Sequence, residues 1–376
     1  MTERARIAVP SGLRNVKVLI EDGVFSSVEE TDESGKFLMQ SGFVDIHTHG
    51  AGNIDVNHIT SYEEVNQLSR IYASCGVTSF LLSVMTDEEE KMLKIISTLA
   101  SAYRKGCDGA TFAGIHLEGP FLCPEYKGAM PERLIRKADW NLFSKFYDAS
   151  GGAVKYITVA PESEGMTDFI KKIKQKTGVV VAMGHSAAEY ETAVKAVECG
   201  VSAATHLFNA MKLFHMHRPA ISGASLERDE VYCEVICDGF HLHPATVRLI
   251  LKTKGVDKVV AVTDSIMAAG LPAGRYKLGV NDVIVTEDGD ARLPDGVRAG
   301  STLTMDKAYR NLIRFASMSP YELSKVMSEN QCRLLHMDDR GSVEQGKRAD
   351  YVLLDENNEV VRTVVCGRTV YEKGGR

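Results

Sequence analysis

Two histidines spaced by one residue close an apolar run, Phe43-Val44-Asp45-Ile46-His47-Thr48-His49-Gly50. Alternate side chains of a strand share a face, so His47 and His49 point the same way, about 7 Å apart along the strand by its rise per residue. Neutral imidazole is a favoured ligand for zinc, iron and related divalent metals, and a strand end is a rigid platform for such a pair. Two histidines need at least one further ligand. Candidates stand in His116-Leu117-Glu118-Gly119-Pro120, Gly184-His185-Ser186, Thr205-His206-Leu207, Asp238-Gly239-Phe240-His241 and Thr263-Asp264-Ser265.

Each of these segments ends an apolar run, and the runs have a rhythm. Phe43 to His49, Ser79 to Val84, Thr111 to Glu118, Lys155 to Ala160, Val179 to His185, Ser202 to His206, Glu234 to His241 and Val259 to Asp264 read as eight strands. Helical periodicity fills the intervals, as in Ser61 to Ser74, Asp87 to Tyr103, Ala187 to Cys199 and Pro244 to Lys254. Repeated βα units of this number predict an α/β fold, a closed (β/α)8 TIM-like barrel, whose functional residues project from the C-terminal strand ends. A lone histidine is more often structural than a ligand, and for Asp264 at a strand end helix capping is about as common a role as catalysis. The joint placement of six segments at strand ends reverses that reading. His58, His215, His243 and His336 fall outside the pattern and read as surface or satisfied core residues. His116, two before Glu118, reads as core or as a residue behind the ligands.

Many two-metal barrels bridge their ions with a modified lysine at the end of strand 4. Here that end reads Val159-Ala160-Pro161-Glu162, and the nearby Lys155 lies at the strand's start. Glu118 is the candidate bridge. It gives one site from His47, His49, Glu118 and Asp264 and a second from Glu118, His185 and His206, with a single ion on the second set as the simpler alternative.

Residues 1–40 hold short alternating pieces, Val16 to Ile20 and Lys36 to Met39, and the tail from Gly341 returns to strand patterning at Ala349 to Leu354 and Val360 to Val370. The two ends, 1–40 and 336–376, are expected to build one small β-sandwich domain beside a catalytic barrel of residues 41–335. Between them, Tyr276 to Leu293 reads as a hairpin turning at Glu287-Asp288-Gly289-Asp290, Ser319-Pro320-Tyr321-Glu322 as a helix start, and Ser328 to Leu335 as a further helix.

Composition narrows the function classes. A 376-residue chain that is 44% hydrophobic and 25% charged is globular. Its net charge of −6, with no long Lys/Arg run, offers no footprint for nucleic acid or an anionic membrane. No apolar run approaches the roughly 18 residues that span a bilayer, and the first residues lack a secretory apolar region, so a cytosolic location is expected. The eight cysteines form no CxxC and are expected to be mostly small buried hydrophobes.

With these residues in place, the chain resembles the N-acetylglucosamine-6-phosphate deacetylases of the metal-dependent amidohydrolase superfamily. The likeness runs through the segments above and through Leu207-Phe208-Asn209-Ala210-Met211 and Ala299-Gly300-Ser301-Thr302-Leu303-Thr304-Met305-Asp306. It implies one or two divalent ions (Zn, Fe, Mn or Co), an amino-sugar phosphate substrate, and hydrolysis of its acetamide. In that scheme Asp264 moves the proton between water and the leaving amine, and His241 helps to polarise the carbonyl. Asn209 and the N–H of Ala210 match positions that hold the sugar phosphate, and Leu303 is assigned to substrate contact with them. A homodimer, in which a loop of one subunit completes the other's site, is also implied. Two departures bear on the substrate. Met130 stands where the family usually has a sugar-reaching histidine. His217 stands where it has a phosphate-binding arginine, with Arg218 one residue late and Lys212 as another cation nearby. An amidohydrolase of the same metal chemistry acting on another N-acyl compound, an unphosphorylated or differently configured amino sugar, is the alternative.

Overall fold

The structure, a computed structural model, describes residues 1–375. Eight parallel strands stand side by side in chain order: Phe43–Asp45, Val77–Met85, Thr111–Glu118, Val154–Val159, Val180–Met183, Val201–Ala204, Tyr232–Ile236 and Val259–Val262. Side chains such as Phe80, Leu82, Ile157 and Val260 are buried on them, as expected of a parallel sheet covered on both faces. The predicted barrel is therefore present. Its seam between the first and eighth strands is closed beyond the regular ladders, by the Asp264 N–H donating to the His47 carbonyl at 2.8 Å and the His49 N–H to the Ser265 carbonyl at 2.7 Å.

Helices lie between the strands where the periodicity puts them. Tyr62–Ser74 opens with a capping box, in which Ser61 accepts from the Glu64 N–H and Glu64 reaches back. Pro244–Lys254 carries proline in its first turn, where no N–H is needed. Ser319 and Glu322 form the second capping box. The helix expected over Ser328 to Leu335 is instead part of one helical run, in which a π turn at Lys325–Glu329 joins Pro320–Ser324 to Asn330–Leu334. That run presents the buried amides of Asn330 and Gln331 to the carbonyls of Val259 and Ala261, which steadies the eighth strand.

Both chain ends enter one seven-stranded mixed sheet, ordered Arg368–Glu372, Val360–Val365, Tyr351–Leu354, Leu38–Ser41, Thr2–Val9, Gly12–Glu21, Val24–Glu30. The sheet curls until the Phe25 N–H donates to the Lys347 carbonyl, enclosing a core of its own around Val18, Phe25, Tyr351 and Leu353.

The segment after Asp264 differs from the expected hairpin. It is a three-stranded antiparallel sheet, Gly274–Leu278, Asn281–Val285 and Ala291–Arg292. The first turn is the two-residue loop Gly279-Val280, made possible by Gly279 at φ 55°, and the second spans the predicted acidic turn. Its inner side, with Leu278, Val283 and Val285, packs on Met85, Leu122 and Met130. It thus forms a wall over the C-terminal mouth of the barrel. No helix among the described residues is long and apolar enough to cross a membrane.

Candidate metal and catalytic site

The predicted ligands meet in one place. Glu118 Oε1 lies 3.2 Å from His47 Nε2, 3.2 Å from His185 Nε2 and 3.3 Å from His206 Nε2. Its Oε2 lies 3.2 Å from His49 Nε2, which in turn is 3.3 Å from Asp264 Oδ1. All six side chains are buried. Two triads, His47/His49/Asp264 and Glu118/His185/His206, each have the spacing to hold one metal ion.

Backbone conformation aims them. The regular ladders of strands five, six and eight end at Met183, Ala204 and Val262, two residues short of His185, His206 and Asp264. All three take positive φ, 46°, 29° and 48°. Non-glycine residues rarely do so, at a cost of about 1–3 kcal/mol each, and such strain gathers at functional sites. The left-handed step turns each side chain off the strand and over the barrel mouth. His47 likewise stands two beyond Asp45, whereas Glu118 is the last residue of its ladder.

Hydrogen bonds behind the histidines choose their tautomers. His47 Nδ1 faces Glu234 Oε2 at 3.0 Å, His49 Nδ1 the Ser83 carbonyl at 3.1 Å, and His185 Nδ1 the Tyr126 carbonyl at 2.8 Å. Each Nδ1 meets an acceptor, so it carries the proton and leaves the Nε2 lone pair facing the centre. Lone pairs converging on carboxylates, with His185 Nε2 and His206 Nε2 only 3.1 Å apart, are a donor set that fits a divalent metal. The charges hold one another in place. Burial opposes charge on Glu118, yet His47 and His49 keep its carboxyl well below the usual range. Without a metal, burial lowers His49 but Glu118 and Asp264 outweigh it and raise the imidazole to about 9, so the Nε2 proton is the one a divalent ion would displace to use the lone pair.

His241 and Asp264 both open onto a cavity of about 300 Å³, whose lining also includes Glu118, His185 and His206. Asp238 accepts the His241 Nδ1–H at 2.6 Å and the backbone N–H groups of Phe240 and His241, both at 2.8 Å. Burial lowers the His241 pKa, but the Asp238 carboxylate more than offsets this and raises it. Asp238 thus fixes the ring and favours its protonated form, in which Nε2–H is free to donate.

Not every predicted contact reaches the cavity. Asn209 and Ala210 line it. Leu303 is buried in the barrel core instead. His217 and Arg218 are exposed on a loop outside it, and Lys212 is paired with Glu189 at 2.6 Å. Met130 lines the cavity as a buried apolar residue. His116 sits behind the ligands, bonded to Ser83 Oγ at 2.8 Å and Thr158 Oγ1 at 2.9 Å, while His58, His215, His243 and His336 are exposed. Glu162, at the strand 4 end, turns away to accept from Ser186 Oγ at 2.7 Å.

Three residues escaped the sequence reading. Glu234 is fully buried and accepts from His47, from Tyr156 Oη at 2.7 Å and from the His206 N–H at 3.1 Å. Its signal was faint, a carboxylate inside an apolar run. Asp238 lay within a quoted motif without a role of its own. Arg298, a cavity-lining cation, comes from an irregular segment with no signal at all.

Comparison with known proteins places the chain in a family. The amidohydrolase family model matches residues 38–370. The N-acetylglucosamine-6-phosphate deacetylase of Lysinibacillus sphaericus is 35% identical over 91% of this chain and 87% of its own length. An N-acetylgalactosamine-6-phosphate deacetylase of Escherichia coli O157:H7 is 31% identical over 93% of each. Among solved structures, N-acetylglucosamine-6-phosphate deacetylase from Thermotoga maritima matches with a TM-score of 0.91 and 36% identity, covering 99% of this chain and 100% of its own. A mutant of the Mycobacterium smegmatis N-acetyl-D-glucosamine-6-phosphate deacetylase, solved in complex with N-acetyl-D-glucosamine-6-phosphate, matches at 0.92 with 30% identity, covering 98% and 99%.

Proposed function

We infer the reaction from one premise: the chain belongs to the amidohydrolase family and, within it, to the N-acetylglucosamine-6-phosphate deacetylases. It hydrolyses the acetamide of N-acetylglucosamine 6-phosphate, releasing acetate and glucosamine 6-phosphate. The observation that carries this reading is the convergence of four imidazole Nε2 atoms and two carboxylates at the floor of a sugar-sized cavity, beside the Asp238-held His241.

Zinc, iron, manganese or cobalt suits His47, His49, Glu118, His185, His206 and Asp264, one or two ions per subunit, with Glu118 as the shared carboxylate. A divalent ion held there supplies Lewis acidity and lowers the pKa of water toward neutrality. Asp264, whose carboxyl His47 and His49 lower against burial in the metal-free chain and a bound cation would keep ionised, accepts the proton of the attacking water and returns it to the amine nitrogen as the C–N bond breaks. His241 donates from Nε2 to the acetyl oxygen as negative charge develops there. Asn209 and the Ala210 N–H orient the sugar.

A homodimer belongs to the same proposal, supported by Leu213, Phe214 and Met216, which are 60%, 55% and 76% exposed on the loop that carries His217 and Arg218. A cytosolic location follows from the substrate, since a phosphorylated sugar does not cross a bilayer unaided.

Acetate release from N-acetylglucosamine 6-phosphate and from N-acetylglucosamine, on enzyme of measured metal content, tests the reading. A clear preference for the phosphate ester is expected. Absence of turnover, or indifference to the phosphate, overturns it in favour of another N-acyl amino sugar. Met130 supports that second reading, because a buried thioether offers a sugar little polar contact.

A further inference from the structure

We propose that Arg298 is the residue that reads the phosphate monoester of the substrate from within the chain's own cavity. This rests on the deacetylase reading and deepens it. A phosphate dianion entering the cavity meets the carboxylates of Glu118, Glu125 and Asp264 among the lining groups. Among the described residues that line it, Arg298 is the only arginine or lysine. The other candidate cations stand elsewhere, Lys212 against Glu189 and Arg218 on the exposed loop.

The guanidinium is also prepared for the task. Its Nε and Nη2 are engaged by Asp290, at 3.0 Å from Oδ1 and 3.4 Å from Oδ2, and Nη1 has no partner among the described residues. Asp290 is a buried carboxylate that also takes Arg292 Nε at 2.7 Å. Two guanidiniums thus face one carboxylate, leaving a net positive charge. The backbone holds the pair in register, through an antiparallel bridge between Arg292 and Arg298 and the Ala299 N–H donating to the Ala291 carbonyl at 3.2 Å. Arg298 is 35% exposed in its side chain, so the free edge of the fork is reachable by solvent and by ligand. A planar fork anchored along one edge presents its remaining N–H groups in a fixed direction, the geometry that suits phosphate oxygens. Met130 and Ala299 pack in the apolar cluster beside it, so the arginine is the polar element of that wall.

The test compares the metal-loaded full chain with Arg298→Met, Arg298→Lys and Arg218→Met, each checked for an intact thermal transition. Acetate release is followed on N-acetylglucosamine 6-phosphate and N-acetylglucosamine, and binding of glucosamine 6-phosphate and glucosamine by calorimetry. In Arg298→Met the ratio of the two kcat/KM values falls about 10- to 100-fold in favour of the unphosphorylated sugar, mainly through KM, as loss of a charge-assisted contact predicts. Arg298→Lys recovers part of the ratio, and calorimetry shows a parallel loss of affinity for the sugar phosphate alone. An equal loss on both substrates overturns the proposal and makes Arg298 a ring-contacting or supporting residue. So does a fall in the ratio in Arg218→Met but not in Arg298→Met, which moves phosphate recognition to the exposed loop. Failure of the deacetylase reading looks different, as a parent enzyme that releases acetate from neither sugar. Calorimetry with glucosamine 6-phosphate still tests Arg298 in that case, where equal affinities of parent and Arg298→Met, or no binding by either, overturn it.

Discussion

Glu234 does at residue scale what no single ligand does: it receives a side-chain hydrogen bond from His47 and a backbone one from His206, joining the two triads from behind. Substitution by Gln preserves the shape, with the amide NH2 able to face Tyr156 Oη, but removes the charge that strengthens His47 as a donor. We expect Glu234→Gln to weaken metal affinity about 10- to 100-fold, as loss of such supporting carboxylates typically does. Competition titration against a chelator measures it, and parental affinity would show that the carboxylate's charge is immaterial. Asp264 offers a contrasting case, because a proton acceptor can be lost with its shape retained. Asp264→Asn is expected to lower kcat by at least about 100-fold while metal content stays near the parent's. Activity within tenfold of the parent would remove Asp264 from proton transfer.

At the scale of elements, the site is held by turns that only certain backbones can make. Gly50, at φ 141°, follows His49, and a Cβ added there would stand 2.0 Å from the Ile54 carbonyl oxygen. The short ladder Gly50–Ala51 with Ile54–Asp55, and the Val56 N–H donating to the His49 carbonyl at 2.9 Å, depend on that close approach. Gly50→Ala is expected to destabilise the fold by about 1–3 kcal/mol through overpacking and backbone strain. A chemical-denaturation midpoint equal to the parent's would show that the turn relaxes without penalty. Gly128, at φ 55°, works the same way beneath His185, where a Cβ would lie 3.1 Å from the imidazole Cε1. These glycines let loops approach the metal ligands more closely than any side chain would permit.

Considered as a whole molecule, the barrel receives its mouth from distant parts of the chain, with one wall from the three-stranded sheet and another from the 119–130 loop. The apolar loop Leu213 to Met216 lies outside both, exposed. If that loop is the seat of the proposed homodimer, Phe214→Asp introduces an unpaired charge into the buried interface and shifts the protein toward monomer. Light scattering coupled to gel filtration reads the mass directly, and a variant with the parent's dimer mass would place the interface elsewhere.

The sequence by itself determined the repeated βα order, the barrel, the merging of both chain ends in one sheet, and the six residues around the candidate metal centre. Periodicity and strand-end position are local properties, so they are legible in one dimension: His47, Glu118, His185, His206 and Asp264 follow apolar runs that can only be buried strands. Tertiary structure decided what depends on distance between remote segments. The positive φ of His185, His206 and Asp264 has only a weak residue-type signal, since histidine and aspartate enter the left-handed region more often than most side chains but still rarely, and surrounding contacts decide where. Glu234 beneath His47, 187 positions away, and Arg298 in the wall of a cavity floored by Glu118 are products of closure. The additional turn at Gly279-Val280 has a weaker residue signal than the acidic turn that follows it, which alone accounts for a hairpin. Which cation faces the substrate was likewise decided by folding, because residue type names a guanidinium but only packing gives it a direction.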